Sequence, residues 1–275
     1  MRVRRVAAGL ALHAALAVGG LLSLLPLLWM LSASFMPTGE ASAIPPRLLP
    51  SSVTLEHYRT LFTRLDLARA FANSAALATA VTLIALLLNS MAGYAFAKLR
   101  FAGRDRLFRL LLAALVIPAQ VSMLPLFLLL RQLHCIDTYW GVVVPGMASI
   151  FGIFLVRQYA LTIPESVLDA ARIDGAGEFR IYRTLVLFLI SPILVTLGVF
   201  TFMGTWNDFM WPLIVLADAR RYTLPVALAN LAGEHVQDTE LMMAGAVLTV
   251  LPVMLLFAFL QRWYIAGITA GGVKE

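Results

Sequence analysis

The feature that most constrains this chain is its series of long apolar runs with few charges. A helix needs roughly 20 consecutive apolar residues to cross a bilayer. In lipid the backbone groups must bond within the protein, which leaves helices or closed barrels, and barrel strands are shorter and alternate in hydropathy. The sequence therefore predicts an all-α integral membrane protein. Six membrane-spanning helices are predicted, at about 12–35, 71–97, 107–130, 140–159, 185–206 and 241–263.

The composition agrees with a chain that lies mostly in lipid. Hydrophobic residues make up 61% of it and charged residues 13%, whereas a soluble domain is about half apolar and a quarter charged. We predict one transmembrane domain over residues 1–275, with no soluble catalytic domain. The run at 12–35 follows three arginines and so admits a second interpretation, as a signal peptide. Its length and the lack of a clear cleavage motif favour a retained span.

The distribution of Lys and Arg predicts the orientation. Fourteen of the 21 basic residues fall on the side that holds both termini, and the loop from Lys98 to Arg109 is the densest cluster. The positive-inside rule therefore places both termini in the cytoplasm. Because the basic residues are scattered among short loops, the net charge of +6 indicates membrane orientation and not nucleic-acid binding.

Residue types that carry catalysis or hold cofactors are sparse. No Asp, Glu, Lys or Arg lies near the middle of a predicted span, which argues against a proton-driven symporter. The single cysteine, Cys135, excludes an intrachain disulfide and a cysteine metal site. Neither lysine is followed by Ser or Thr, as a P-loop requires. We therefore predict a non-enzymatic chain that binds no metal and no cofactor.

Polar side chains inside the predicted spans are hydroxyls and amides. They suit a path for a neutral, hydroxyl-rich solute, and they equally suit hydrogen bonds between helices, so both interpretations stay open. They are Asn73, Ser74, Asn89, Ser90, Gln120, Ser122, Ser149, Ser191, Thr196 and Thr201.

The most informative segment is 162–183, between the fourth and fifth predicted spans. Thr162 and Glu165 are spaced as a capping box. The helix that they start is predicted to run to about Asp174 and to end at Gly175, which readily adopts the left-handed conformation. A second short helix is predicted from about Glu178 into the fifth span.

The first of these short helices has the features of a docking surface. Ala170 and Ala171 leave a shallow place where another protein can approach closely. A helix lying among lipid headgroups is the alternative, although acidic residues are unfavourable there because the inner leaflet is negative. The predicted charged contacts are Asp169, Arg172 and Asp174, and the predicted apolar contacts are Val167, Leu168, Ile173 and Phe179.

This segment resembles the EAA motif of ABC importer permeases, which is Glu-Ala-Ala, three variable residues and Gly. The matching residues are Asp169, Ala170, Ala171 and Gly175, in a form close to that of carbohydrate permeases of the maltose-transporter type. Two residues depart from the pattern. Asp169 replaces Glu and keeps the charge, and Phe188 stands where the motif usually has Pro. The resemblance implies a cytoplasmic coupling helix between spans four and five.

Other stretches resemble the same family, and together they are similar to its second, six-span permease. The match therefore covers most of the chain. These stretches are Asn73–Ser74, Tyr94–Ala97, Thr205–Phe209, Trp211–Ile214, Tyr222–Val226, Met243–Val247 and Gln261–Lys274.

The resemblance implies the fold of a type I ABC importer permease in a bacterial inner membrane, together with its partners. These are a second, homologous permease, an ABC ATPase dimer that binds ATP and Mg, an extracytoplasmic solute-binding protein, and membrane lipid. This chain would form half of the pathway for a sugar or sugar-like solute. The residues implied to couple to the ATPase are Glu165, Asp169, Ala170, Ala171, Arg172, Asp174, Gly175, Ala176 and Phe179, and those implied at a gate or binding-protein contact are Trp206, Asn207, Asp208 and Trp211.

Two other classes of protein are alternatives. A secondary transporter or channel for small polar solutes would work without ATP, so transport that survives loss of the ATPase would favour it. A membrane-embedded enzyme would need ionisable groups inside the spans, and the sequence has none near their centres. The segment from Asp169 to Gly175 disfavours both alternatives.

The purified chain is expected to bind no ATP, because neither Lys98 nor Lys274 can form a P-loop. Titration with a fluorescent ATP analogue should give no saturable signal with this chain, whereas the transporter assembled with its ATPase should give one. Saturable binding by the chain alone would contradict the assignment of ATP to a partner.

Overall fold

The computed structural model describes residues 2–45, 47–63, 66–234 and 238–270, and these ranges contain helices and no β-strand. The all-α prediction is confirmed. The last part of the predicted C-terminal match, 271–274, lies outside the described residues. The helices are α1 (Arg2–Ala33), α2 (Glu56–Thr63), α3 (Leu67–Lys98), α4 (Arg104–Ala114), α5 (Ala119–Gln132), α6 (Trp140–Gly146), α7 (Ile150–Leu161), α8 (Glu165–Ile173), α9 (Glu178–Ile181), a π-helical turn (Tyr182–Val186), α10 (Leu187–Leu189), α11 (Ser191–Trp206), α12 (Met210–Val215), a 3-10 turn (Ala219–Arg221), α13 (Leu224–Glu234) and α14 (Thr239–Ala270).

The described part of the chain has four helical stretches that are long and apolar enough to cross a membrane, or up to six if each of two bent pairs is one span. In the predicted run 107–130, α4 and α5 meet at 106°. In the predicted run 185–206, the helices before and after Ile190 meet at 78°. The four stretches are Leu12–Ala33, Leu67–Lys98, Trp140–Leu161 and Thr239–Phe259.

Both bends lie at prolines. Pro118 immediately precedes α5, after a turn in which the amides of residues 115–117 bond to carbonyls three positions back. Pro192 lies in the first turn of α11. A proline has no N–H and disfavours helical geometry in the residue before it, so one helix ends before each proline and another begins there.

The larger of two compact units, described over 69–226 and 253–270, holds the core that positions the candidate site. Buried residues from the C-terminal half of α3, from α7 and α8, and from α9 to α11 form one cluster. They are Tyr94, Ala97, Val156, Ala160, Ile163, Leu168, Ile181, Tyr182, Val186, Ile190, Ile193 and Leu197.

The smaller unit, residues 1–68 and 227–252, has its own buried contacts. The fully buried Glu240 accepts the backbone N–H of Ala41 at 2.6 Å. A ring nitrogen of buried His57 lies 2.9 Å from the carbonyl oxygen of Met36. These bonds tie α2 and the start of α14 to the segment that follows α1.

Gly93→Ala is expected to destabilise the protein, because α3 crosses α7 closely at this position. An added Cβ would lie 2.6 Å from Cγ1 of Val156 and 3.0 Å from the backbone nitrogen of Arg157, and overpacking of this kind costs about 1–3 kcal/mol. Gly204→Ala is the matched control, since nothing lies within 4 Å of its added Cβ. Thermal unfolding in detergent should show a lower midpoint for Gly93→Ala only. Equal midpoints would contradict the close crossing.

Candidate functional site

The segment that carries the motif residues begins at α8. Pro164 precedes the helix without a side-chain cap, and the hydroxyl of Thr162 donates to the carbonyl of Tyr159. The predicted capping box is therefore wrong. Glu165 instead accepts hydrogen bonds from Lys98 and Arg172, because two cations within reach compete successfully with a backbone amide for this carboxylate.

The end of α8 is a Schellman motif. Gly175 has a φ of 80°, its N–H donates to the carbonyl of Arg172, and the N–H of Ala176 donates to the carbonyl of Ala171 at 2.9 Å. The predicted helix end at Gly175 is confirmed. Any other residue at this left-handed position would be strained, since only glycine lacks the Cβ that disfavours it.

One face of α8 packs into the protein. Leu168 is fully buried in the cluster with Ile163 and Ile181, and Ala171 packs half-buried against it. Leu168 was expected among the apolar docking contacts, and that expectation is wrong. Its side chain fixes α8 to the chain's own core, and full burial of a leucine stabilises by about 1.5–3 kcal/mol.

The opposite face of α8 and the segment after it remain exposed. Ile173 is 86% exposed and Phe179 is 66% exposed. Ala170 and Asp174 are exposed as well. Large apolar side chains this open indicate a surface that another molecule covers. This set, Ala170, Ile173, Asp174 and Phe179, is called the outer face below.

Arg172 joins three carboxylates. Its Nε donates to Glu178 at 2.8 Å, and its Nη1 donates to Asp169 at 2.8 Å and to Glu165 at 3.1 Å. These bonds, the one to Glu178 foremost, raise the pKa of Arg172 above its ordinary value. The structure therefore brings three predicted coupling residues together, and their charges bind one another.

Three polar side chains of α3 lie four residues apart, on one face of the helix, and each bonds to the segment around α8. The hydroxyls of Ser90 and Tyr182 lie 2.7 Å apart. We call Ser90, Tyr94 and Lys98 the α3 ladder. The remaining two bonds run from the Tyr94 hydroxyl to Glu178 Oε2 at 2.7 Å and from Lys98 Nζ to the Ile163 carbonyl at 2.6 Å.

The α3 ladder was missed as part of the site by the sequence analysis. Its signal was present, because Ser90, Tyr94 and Lys98 place polar groups at a spacing of four near the end of an apolar span. Such spacing lines one helix face. What the sequence does not show is the segment that this face meets, since the partners lie 65 to 92 residues further along the chain.

The predicted gate residues lie in a different environment. Trp206 is 1% exposed and packs on Phe202 and Phe71. Trp211 is buried, and its indole N–H donates to the carbonyl of Gly141 at 3.0 Å. Both tryptophans are thus largely interior in this structure, and their role at a gate or a binding-protein contact stays a prediction.

Asn207 and Asp208 lie between these tryptophans. Asn207 is exposed, and its amide donates back to the carbonyl of Met203. Burial raises the pKa of Asp208, whose Oδ1 accepts the N–H of Trp211. Of the four residues, Asn207 presents the most open polar surface. Among the described residues, no group of three or more His, Cys, Asp or Glu side chains is arranged to hold a metal ion.

Comparison with known proteins places this site within a matched region. The family model described as "Binding-protein-dependent transport system inner membrane component" matches residues 89–269. That range includes α8, the Arg172 network and the α3 ladder from Ser90 onward.

Three similar proteins are transport permeases. The arabinooligosaccharides transport system permease protein of Halalkalibacterium halodurans is 39% identical over 256 residues, 92% of each chain. The lactose transport system permease protein of Rhizobium radiobacter is 30% identical over 262 residues, 95% of each chain. The sn-glycerol-3-phosphate transport system permease protein of Brucella abortus is 31% identical over 265 residues, covering 93% of this chain and 94% of that protein.

A solved structure shares the fold. It is the crystal structure of a bacterial ABC transporter involved in the import of the acidic polysaccharide alginate. One of its chains matches with a TM-score of 0.83 and 24% identity, over 96% of this chain and 98% of that one. The likeness extends over nearly the whole length of both chains.

Arg172→Gln is expected to loosen α8 without unfolding the spans, because it removes the cation that three carboxylates share. Exposed ion pairs contribute roughly 0.2–1 kcal/mol each, so loss of all three should accelerate amide hydrogen exchange at residues 165–176 about threefold or more. Arg183→Gln, an exposed arginine outside this network, is the control. Exchange that is equal in the two variants would contradict the role of Arg172.

Proposed function

This chain belongs to the family of binding-protein-dependent transport system inner membrane components, and from that premise we propose which solute, partners and contacts its permease function involves. It is a permease subunit of a binding-protein-dependent importer, with an all-helical multi-pass membrane fold. This chain forms half of the solute pathway and transmits movement from the ATPase to it. ATP is hydrolysed, with Mg, on a separate ATPase subunit.

The proposed solute is a sugar or sugar-like molecule. Two of the three relatives above are named for saccharides and the third for a glycerol phosphate. Several polar side chains inside the predicted spans do not bear on the solute, because Ser74, Asn89, Ser90 and Thr196 are buried within the protein. The names of the relatives therefore support the assignment of solute class, which a ligand screen on the cognate binding protein would test.

The proposed assembly pairs this chain with a second, homologous permease, an ATPase dimer and an extracytoplasmic solute-binding protein. The proposed orientation has both termini in the cytoplasm, which the excess of Lys and Arg on that side supports. In this orientation α8 lies on the cytoplasmic side, where ATP is available, and the segment from Trp206 to Glu240 lies outside.

The observation that carries the coupling proposal is the division of α8 into two faces. Leu168 buries the inner side of α8 in the protein, and Lys98 of α3 donates to Glu165, while Ile173 and Phe179 on the outer face are open. We assign the outer face to contact with the ATPase. A helix that is anchored on one side and open on the other can transmit the movement of a docked partner as a nearly rigid body.

The α3 ladder gives that movement a path. Lys98 holds the chain just before α8 at the Ile163 carbonyl, and Tyr94 holds Glu178, where α9 begins. Closure of the ATPase would therefore displace α8 and α9 together with the end of α3. Since α3 is a continuous candidate span of 32 residues, the displacement reaches the membrane through a stiff helix.

Ile173→Glu is expected to abolish ATP-driven uptake and to weaken retention of the ATPase, because it puts a charge into the proposed contact. Loss of a buried isoleucine alone costs about 1.5–3 kcal/mol, which is about tenfold or more in affinity. Solute uptake into proteoliposomes and co-purification of the ATPase are the measurements.

The matched control is Leu49→Glu, which alters an exposed leucine, 76% open, in the segment between α1 and α2. It should leave co-purification of the ATPase unchanged. Normal uptake with Ile173→Glu would overturn the docking assignment. Equal loss of the ATPase in both variants would show that misfolding, and not a lost contact, causes the effect.

A further inference from the structure

The loop between α3 and α4 concentrates positive charge around one cavity. Arg100, Arg104, Arg106 and Arg109 line it together with Phe101, Gly103 and a single acid, Asp105. The cavity has a volume of about 660 Å³, which is large enough for a phospholipid headgroup. We propose that it binds the phosphate of an anionic phospholipid, such as phosphatidylglycerol.

The charge in the cavity is largely uncompensated. Asp105 accepts a hydrogen bond from Arg104 Nε at 3.1 Å, while Arg109 donates to the backbone carbonyl of Asp105. Within the described residues no carboxylate pairs with Arg100 or Arg106. Four guanidinium groups facing one carboxylate favour an anion with several acceptor oxygens, and phosphate matches the guanidinium fork in geometry.

Apolar side chains beside the arginines distinguish a lipid from a free anion. Phe101 is 42% exposed, and on α4 Leu107 and Leu110 are open as well. Arginines that alternate with exposed leucines on a helix are typical of the boundary between headgroups and acyl chains, where the arginines reach outward to phosphate. A site for a soluble phosphate would not require this apolar border.

The segment that carries the arginines is fixed to the rest of the protein. Phe108 is buried under the guanidinium of Arg157, which lies 4.1 Å from the ring centroid, and Arg157 Nε donates to the carbonyl of Phe96. Arg104 Nη1 donates to the carbonyl of Leu99. The loop is thus fixed to the end of α3 and to α7, so binding of a headgroup does not require the loop itself to become ordered.

The test titrates the purified full chain in detergent with dioleoylphosphatidylglycerol and with dioleoylphosphatidylcholine, and counts bound lipid by native mass spectrometry. A basic residue near an anionic lipid surface contributes about fivefold in affinity. The double variant Arg100→Gln/Arg106→Gln should therefore bind its tightest phosphatidylglycerol about 25-fold more weakly. The wild-type chain should prefer phosphatidylglycerol over phosphatidylcholine.

Two further variants keep the outcome unambiguous. Arg180→Gln/Arg183→Gln removes the same charge from exposed positions outside the cavity and should bind phosphatidylglycerol like the wild type. Arg100→Lys/Arg106→Lys retains the charge and should recover most of the affinity. Unchanged binding by the Arg100/Arg106 glutamine variant, or equal loss in the Arg180/Arg183 variant, would overturn the proposal. Displacement of the bound lipid by inorganic phosphate would show that the cavity binds free phosphate, and would overturn its assignment to a lipid headgroup.

Discussion

The architecture depends on one constraint: inside hydrocarbon, each backbone N–H and C=O must find its partner within the protein. Continuous helices such as α3 satisfy it automatically. The two bends satisfy it by local adjustment, since the amides of residues 115–117 bond three positions back, and the amides of Ile193 and Leu194 both bond to the carbonyl of Ile190. The chain therefore turns by 106° and 78° at Pro118 and Pro192 with these amides paired.

Pairing of polar groups within the protein also determines which surface α8 exposes. Its buried side uses one large apolar residue, Leu168, and its charged residues bond to one another through Arg172. Glu165, Asp169 and Glu178 are engaged within the segment, so the exposed surface that remains consists of the apolar Ala170, Ile173 and Phe179 with the acid Asp174. The basic loop 100–109 is the opposite case, because its charges have few partners within the protein.

The sequence predicted what short-range patterns determine. The apolar runs located the four continuous candidate spans, and the need for a left-handed residue located the end of α8 at Gly175. It did not predict which residues of α8 face inward, because Leu168 and Ile173 are equally apolar and only the three-dimensional neighbours distinguish them. The capping box failed for a related reason. Its glutamate had the right spacing, but Lys98, which lies 67 residues earlier, competes for it. Contacts across such separations leave no local pattern.

The sequence distances between these contacting residues also determine the order in which the contacts can form during synthesis. Glu178 follows Tyr94 by 84 residues, so at a translation rate of about 5–20 residues per second it leaves the ribosome roughly 4–17 s after the tyrosine. Until Ile163 and Glu165 are synthesised, 65 and 67 residues after Lys98, Tyr94 and Lys98 have none of their partners from the α8 segment, and α3 must enter the bilayer without them. The junction of α3 with α8 and α9 is therefore completed late in biogenesis. A nascent chain arrested before residue 178 would carry a finished α3 and no assembled coupling segment.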